Sequence, residues 1–259
     1  MTSRRTFIRS TSVAAALPVI ASTAGISKTI QAASAATLDA DLKKQMLAKL
    51  TTELNDAHTA AIEVPYLHDI FFSWDLPFIP AAQISSIIAF SFGDRPGAST
   101  PLPGPINEAI ADAVNQLYTL KPVMVYAQAE VASVLTTKYG MSTNNLQSVH
   151  PPAVASSGKV TYPTLDDVAV AILALKTNAA ALGTVGVITH RDQTKRAIQT
   201  CTAHGMTAYA ANDITLPRNY DPHASQPTRR RRDLFLLNDM ANQFASLRLQ
   251  LITEEYPNG

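Results

Sequence analysis

The chain has 259 residues, 46% of them hydrophobic and 16% charged, with a formal net charge of +1. That suits one ample globular domain, or a domain with appendages, and excludes a disordered, collagen-like or low-complexity protein. Cys201 is the single cysteine, so no intramolecular disulfide and no thiolate metal cluster can form.

The first residues carry an export pattern. Ser3-Arg4-Arg5-Thr6-Phe7-Ile8-Arg9 resembles the bacterial twin-arginine motif S-R-R-x-F-L-K. A mildly apolar stretch follows to about Ile26, then Ala33-Ser34-Ala35 offers small residues to a signal peptidase. The expectation is a signal peptide over residues 1–35, export by the twin-arginine route, and a periplasmic or otherwise extracytoplasmic mature protein. Cleavage after Ala35 removes Arg4, Arg5, Arg9 and Lys28 and no acid, so 21 less 4 leaves 17 basic against 20 acidic residues. A mature chain of that balance lacks the basic footprint of a nucleic-acid binder.

Residues 37–60 read as helical, with Leu38, Leu42, Met46, Leu47, Leu50 and Leu54 recurring at three- and four-residue steps. From Ile62 to Ala82, Pro65, Pro77 and Pro80 interrupt an aromatic stretch, which predicts an irregular lead-in spanning residues 36–83 with the helix before it. Trp74 there either packs on a sheet edge or walls a pocket. The remaining residues, 84–259, predict a strand over Ile84–Phe92, a helix over Ile106–Leu120, a strand over Pro122–Ala127 and a helix over Glu130–Tyr139 ended by Gly140. Leu146–His150 reads as a short third strand and Ala153–Tyr162 as a polar loop. Thr164 reads as the N-cap of a helix over Leu165–Ala181, with Asp166 and Asp167 in its first turn.

Val185–Ile188 is short, β-branched and apolar throughout, as in a strand buried on both faces of a parallel sheet. Thr189, His190, Arg191 and Asp192 follow, then a helix with Ala197, Ile198 and Cys201 on one face, then a strand over Met206–Ala210. A loop over 214–228 leads to a long helix over Arg229–Ile252, its apolar face assigned to Leu234, Leu237, Met240, Phe244, Leu247 and Leu251. Strands alternating with helices predict a Rossmann-like, doubly wound α/β fold with a mostly parallel sheet and helices on both faces. In such sheets ligands bind at the strands' carboxyl ends.

Over residues 84–210 the order of elements resembles the SanA/ElyC/YdcF-like family, domain of unknown function 218. Ile87–Gly93 stands for its first strand and glycine turn, Thr164-Leu165-Asp166-Asp167 for its T-x-E-N motif, and Ile188-Thr189 with Arg196-Ala197 frames its last motif. Ala127-Gln128-Ala129 replaces the usual S-G-G, and Gln193 stands where the family has histidine. The resemblance implies a role in the bacterial cell envelope and a nucleotide-like or phosphate-bearing ligand.

The strand ends gather polar candidates. His190 and Asp94 are the catalytic candidates: a histidine titrates near neutrality, and an aspartate after the first strand can hold a hydroxyl or a metal. Arg95, Thr164, Asp166, Asp167, Thr189, Arg191 and Arg196 are the ligand-binding candidates, the arginines as bidentate grips for an anion and Thr164 as a helix start facing the same cleft as Arg196. His190 is otherwise a loop residue without a task, and Arg196 otherwise a helix arginine paired with an acid. No H-E-x-x-H, G-x-S-x-G or G-x-G-x-x-G occurs, which leaves no metal site expected and the cofactor open. Arg229, Arg230, Arg231 and Arg232 either meet anionic headgroups at a membrane surface or pair with aspartates. Two functions follow: a hydrolase or transferase acting on an anionic envelope precursor, or a non-catalytic envelope factor using the same pocket or a partner surface.

Overall fold

The computed structural model describes residues 27–97 and 100–257, with side chains from residue 37 onward. The twin-arginine motif and its apolar stretch lie outside the described residues. The chain divides into two units, one ending at Tyr66 and one running from Leu67.

The first unit holds helix α1 (Ser27–Leu54) and the start of α2 (Ala57–Phe72). The break between them falls at Asn55, whose φ of 52° ends the first helix. Ala33–Ala35 lies inside α1, so cleavage after Ala35 requires the first turns of that helix to open. Helix α2 corrects the irregular lead-in expected from Ile62 onward. The chain stays helical through Pro65, which forgoes one backbone hydrogen bond but not the turn. At the far end of α2, Lys195 Nζ donates to the carbonyls of Asp69 (2.5 Å) and Ser73 (2.7 Å), supplying donors that the helix end lacks. The indole of Trp74 likewise donates to the Phe71 carbonyl (3.1 Å), close to the end of α2.

The second unit is the doubly wound α/β domain. Its strands are β1 (Phe78–Ile79), β2 (Ser86–Ala89), β3 (Met124–Gln128), β4 (Leu146–Val149), a two-residue hairpin of β5 (Ala153–Val154) and β6 (Val160–Thr161), β7 (Thr184–Ile188) and β8 (Thr207–Ala211). Its helices are α3 (Gly104–Leu120), α4 (Ala129–Tyr139), α5 (Leu165–Ala174), α6 (Thr194–Ala203) and α7 (Arg232–Glu255). The main sheet is six-stranded and parallel throughout, in the order β1-β8-β7-β2-β3-β4. Strand β1 enlarges the domain backwards: Phe78 and Ile79, expected in the lead-in, pair with Ala210 and Ala211.

Both central strands are apolar and buried on both faces, as their composition dictates: Ile87 and Ile88 pack from β2, Val185, Val187 and Ile188 from β7. Helices α3 and α4 pack together, as do α5 and α6. The chain goes outward from β2 to β3 and β4, then returns to place β7 on the other side of β2. The order of connections therefore reverses between β2 and β7, and that is where a crevice opens in this architecture.

Three further boundaries differ from the sequence reading. The expected polar loop at 153–162 contains the β5–β6 hairpin. Helix α5 stops at Ala174, and Asn178 accepts from the Ala181 amide (3.0 Å) to start a separate short turn. Helix α7 begins at Arg232, and its buried face is Phe235, Asp239 and Gln243; Leu234 and Leu237 point to solvent. Among the described residues, no helix is long and apolar enough to cross a membrane.

Candidate functional site

Beyond β2 the chain continues as Phe90-Ser91-Phe92-Gly93-Asp94 into the switch-point crevice. Asn107 of α3, fully buried, holds this turn: its Oδ1 accepts from Phe92 N (2.7 Å), and its Nδ2 donates to the carbonyls of Gly93 (2.9 Å) and Pro103 (2.7 Å). Gly93 has φ of 66°, a left-handed conformation that glycine adopts freely. Ser91 N donates to Gln128 Oε1 at the end of β3 (2.9 Å).

This framework brings two carboxyl groups together out of water. Asp94 is 2% exposed and accepts from the Tyr162 hydroxyl (3.0 Å); burial pushes its carboxyl above the usual aspartate range. Glu130, in the first turn of α4, is 6% exposed, and its Oε2 has no hydrogen-bond partner. Burial pushes Glu130 up to about 7 and the charge of Asp94 adds to the rise, while its own backbone amide, Ser91 and the more distant Arg229 pull the other way. Burial and then Asp94 push Tyr162 up to about 12, so its hydroxyl stays a donor. Two carboxyls whose surroundings drive one toward neutrality form the arrangement that acid–base chemistry uses.

The third charge is Arg229. Its guanidinium lies 4.5 Å from the Phe92 ring centroid and 5.5 Å from that of Phe235, and Nη1 donates to Gln193 Oε1 (2.6 Å). Burial lowers it to about 10, still charged at neutral pH. Gln193, fully buried, donates in turn to Thr189 Oγ1 (2.8 Å) and the Ser91 carbonyl (3.2 Å), tying the end of β7 to that of β2.

The predicted site residues divide. Asp94 sits in this cluster. Thr189 is fully buried and supports it through Gln193. His190 is a correction: it is fully buried, stacked on Phe92 with centroids 4.0 Å apart, and burial pushes it down to about 4. Its Nδ1 accepts from Asp192 N (3.2 Å), and its Nε2 therefore donates to the Asn219 carbonyl (3.1 Å). Both ring nitrogens are engaged and the ring is neutral, so it is a structural element and not a proton shuttle.

Arg95 is turned to Asp221, with Nε–Oδ2 at 2.7 Å and Nη2–Oδ1 at 3.1 Å. Thr164 and Asp167 satisfy each other in a capping box on the surface. Asp166 pairs with His204 (2.7 Å), the residue that closes α6. The start of α5 therefore lies beside the end of α6, eight residues or about 12 Å along the helix from Arg196. Arg196 pairs with the fully buried Asp239 (2.5 Å), which also accepts from Gln243 (2.9 Å). The expectation that Thr164 and Arg196 face one cleft is thus corrected: each is committed elsewhere. Arg191 has no side-chain hydrogen bond or ion pair among the described residues and is the predicted arginine left available.

The four consecutive arginines do not form one basic face. Arg229 sits half-buried in the crevice, Arg230 donates to the Ala224 carbonyl (2.7 Å), Arg231 pairs with Asp233, and Arg232 grips Asp192 (2.9 and 3.2 Å). Glu130, Tyr162, Gln193 and Arg229 were not singled out from the sequence as members of the site. Glu130 shows in the sequence as an acid opening a helix directly after a strand, while Gln193 and Arg229 are visible there only in other roles, at the family's histidine position and in the arginine run.

Among the described residues, no group of three His, Cys, Asp or Glu is placed to hold a metal ion. A depression of about 320 Å³ lies between α3 and residues 215–218 and shares no residue with the acid pair. Comparison with protein-family models, with curated proteins and with solved structures finds no match. Fold and geometry define the class: a Rossmann-like α/β protein with a buried acid pair beside its switch point. Within that class, the particular feature of this chain is an arginine from its own C-terminal segment seated in the crevice.

Proposed function

We propose that the chain is an exported envelope protein acting as a hydrolase or transferase on a small polar precursor, with Asp94 and Glu130 handling the proton. The observation that carries the reading is Glu130: buried, beside a second carboxyl, pushed up to about 7 and with Oε2 unpartnered. A carboxyl that titrates near neutral pH can donate a proton to a leaving group and take one from a nucleophile. Asp94, oriented by Tyr162, is suited to hold a substrate hydroxyl. The two carboxyls disfavour an anion at the pair itself, so a phosphate on the precursor is assigned to Arg191. A non-catalytic envelope factor is the second reading; it is favoured by Arg229, whose guanidinium sits over Phe92 in the crevice where a substrate would enter.

The test uses the full chain with nucleotides, sugar phosphates and lipid phosphates, scored first by thermal shift and then by turnover. Turnover that Glu130→Gln reduces by about 100-fold or more, with the thermal shift retained, supports the enzyme. A thermal shift without turnover supports the binding factor. Turnover unaffected by both Glu130→Gln and Asp94→Asn removes the acid pair from the chemistry.

A further inference from the structure

The acid pair is roofed by one segment, residues 221–231, irregular apart from a 3-10 turn at Pro227–Arg229. Gly93 lies directly beneath it: a Cβ added there would stand 3.3 Å from Arg229 Cβ and 3.5 Å from Ala224 Cβ. Several attachments hold the segment down, the seat of the Arg229 guanidinium over Phe92 and Phe235 among them. Asp221 grips Arg95, Ser225 N donates to the Asp94 carbonyl (2.7 Å), and Arg229 donates to Gln193. Ala224 is its one buried apolar side chain among the described residues.

The two ends are held differently. Tyr220 packs edge-on against Phe92 and His190 and donates to Asp192 (2.8 Å). Arg231 stands extended before α7, and Phe235, fully buried, anchors the first turn of that helix. Beneath the roof the closed state leaves Glu130 Oε2 without a partner, and within it Gln226 Oε1 is buried in the same condition. Unpaired buried oxygens penalise the closed arrangement, and what opposes its opening is chiefly the hydrogen bonds above, the Arg229 contact with Phe92 and Phe235, and the single buried Ala224.

We propose that residues 221–231 are a strap that swings about Tyr220 and Arg231, carrying Arg229 out of the switch-point crevice so that a ligand takes its place over Asp94 and Glu130. Closed, the strap is autoinhibitory, since Arg229 fills the crevice a ligand would enter. The device rests on the reading of Asp94 and Glu130 as the site, but its motion is measured without any substrate.

The experiment is hydrogen exchange on the full chain, comparing the Ser225 amide, bonded to the Asp94 carbonyl, with the Phe90 amide, bonded to the Ile188 carbonyl (3.0 Å) in the sheet. Local opening makes Ser225 exchange at least 100-fold faster than Phe90. Arg95→Gln, which removes one attachment, accelerates Ser225 by about ten-fold and leaves Phe90 unchanged. Added salt on the unmodified chain, which weakens the same pair, does so to a smaller degree and stands in if the variant does not fold. Modification of Glu130 by a carbodiimide with an added amine rises in parallel. Ser225 and Phe90 exchanging together overturns the strap, as does a Ser225 that opens while Glu130 stays unlabelled. Loss of Glu130 from the chemistry with Ser225 opening intact would instead retire the catalytic reading alone.

Discussion

Replacing Glu130 by glutamine alters how stability depends on pH, and the size of the effect follows from its burial. Glu130 moves from an ordinary 4.5 to about 7 in the folded protein. The folded state thus holds a proton that the unfolded chain has released, and stability from this group falls as pH rises from 4.5 through 7. Linkage puts the loss between pH 5 and pH 8 at about 2.5 kcal/mol, and glutamine, which does not titrate, abolishes it. His190 works the other way, since its lowering from 6.5 to about 4 makes stability rise with pH over that interval. The whole-protein profile is therefore a sum, and only the difference between variant and parent isolates Glu130. Urea unfolding of both proteins at pH 5 and pH 8 measures it. The variant should gain about 2.5 kcal/mol relative to the parent on going from the lower to the higher pH. A difference that does not change with pH would mean Glu130 titrates as in water, and the argument for a proton-handling pair would fall with it.

Arg196→Met leaves Asp239 buried without its cation and should cost about 3–5 kcal/mol in chemical denaturation, most of it recovered in the double variant with Asp239→Leu. Thr164→Ala removes the capping box of α5 and should cost about 1 kcal/mol without altering binding of any sugar phosphate or nucleotide; weakened binding would return Thr164 to the site. Replacing Arg4 and Arg5 together by lysine should leave precursor in the cytoplasm, read by fractionation, and undiminished export would remove the twin-arginine assignment.

The architecture was legible because its signals are local. Val185–Ile188 and Ile87–Ala89 are apolar runs too short for a helix, and Thr164 with Asp167 writes a helix start in four residues. Helix α2 was misread because Pro65 is a strong local breaker, whereas the helix loses only one hydrogen bond to it. Of the candidate site, Asp94 and Thr189 were legible, each a short step beyond a strand. His190 looked equally suitable, but the stacking by Phe92 and the Asn219 carbonyl that fix it come from distant segments and leave no mark on the sequence beside it. Glu130, Tyr162 and Arg229 come from α4, the turn before α5 and the C-terminal segment, and their meeting is a property of the topology.

The inward face of α7 sets a consequence for chain length. A helix docked by leucines alone tolerates sliding, because one leucine replaces another in the same hollow. With Asp239 as the buried contact, a slide of one turn, about 5.4 Å, would bring Phe235 or Gln243 against Arg196 and strand both charges. The helix therefore has a single seat, and in the closed state that seat sets the length of chain between Asp239 and the Arg229 contact over Phe92. Loops elsewhere on the domain can absorb an insertion, but one added residue between Arg229 and Asp239 would either unseat the guanidinium from Phe92 or break the contact with Arg196.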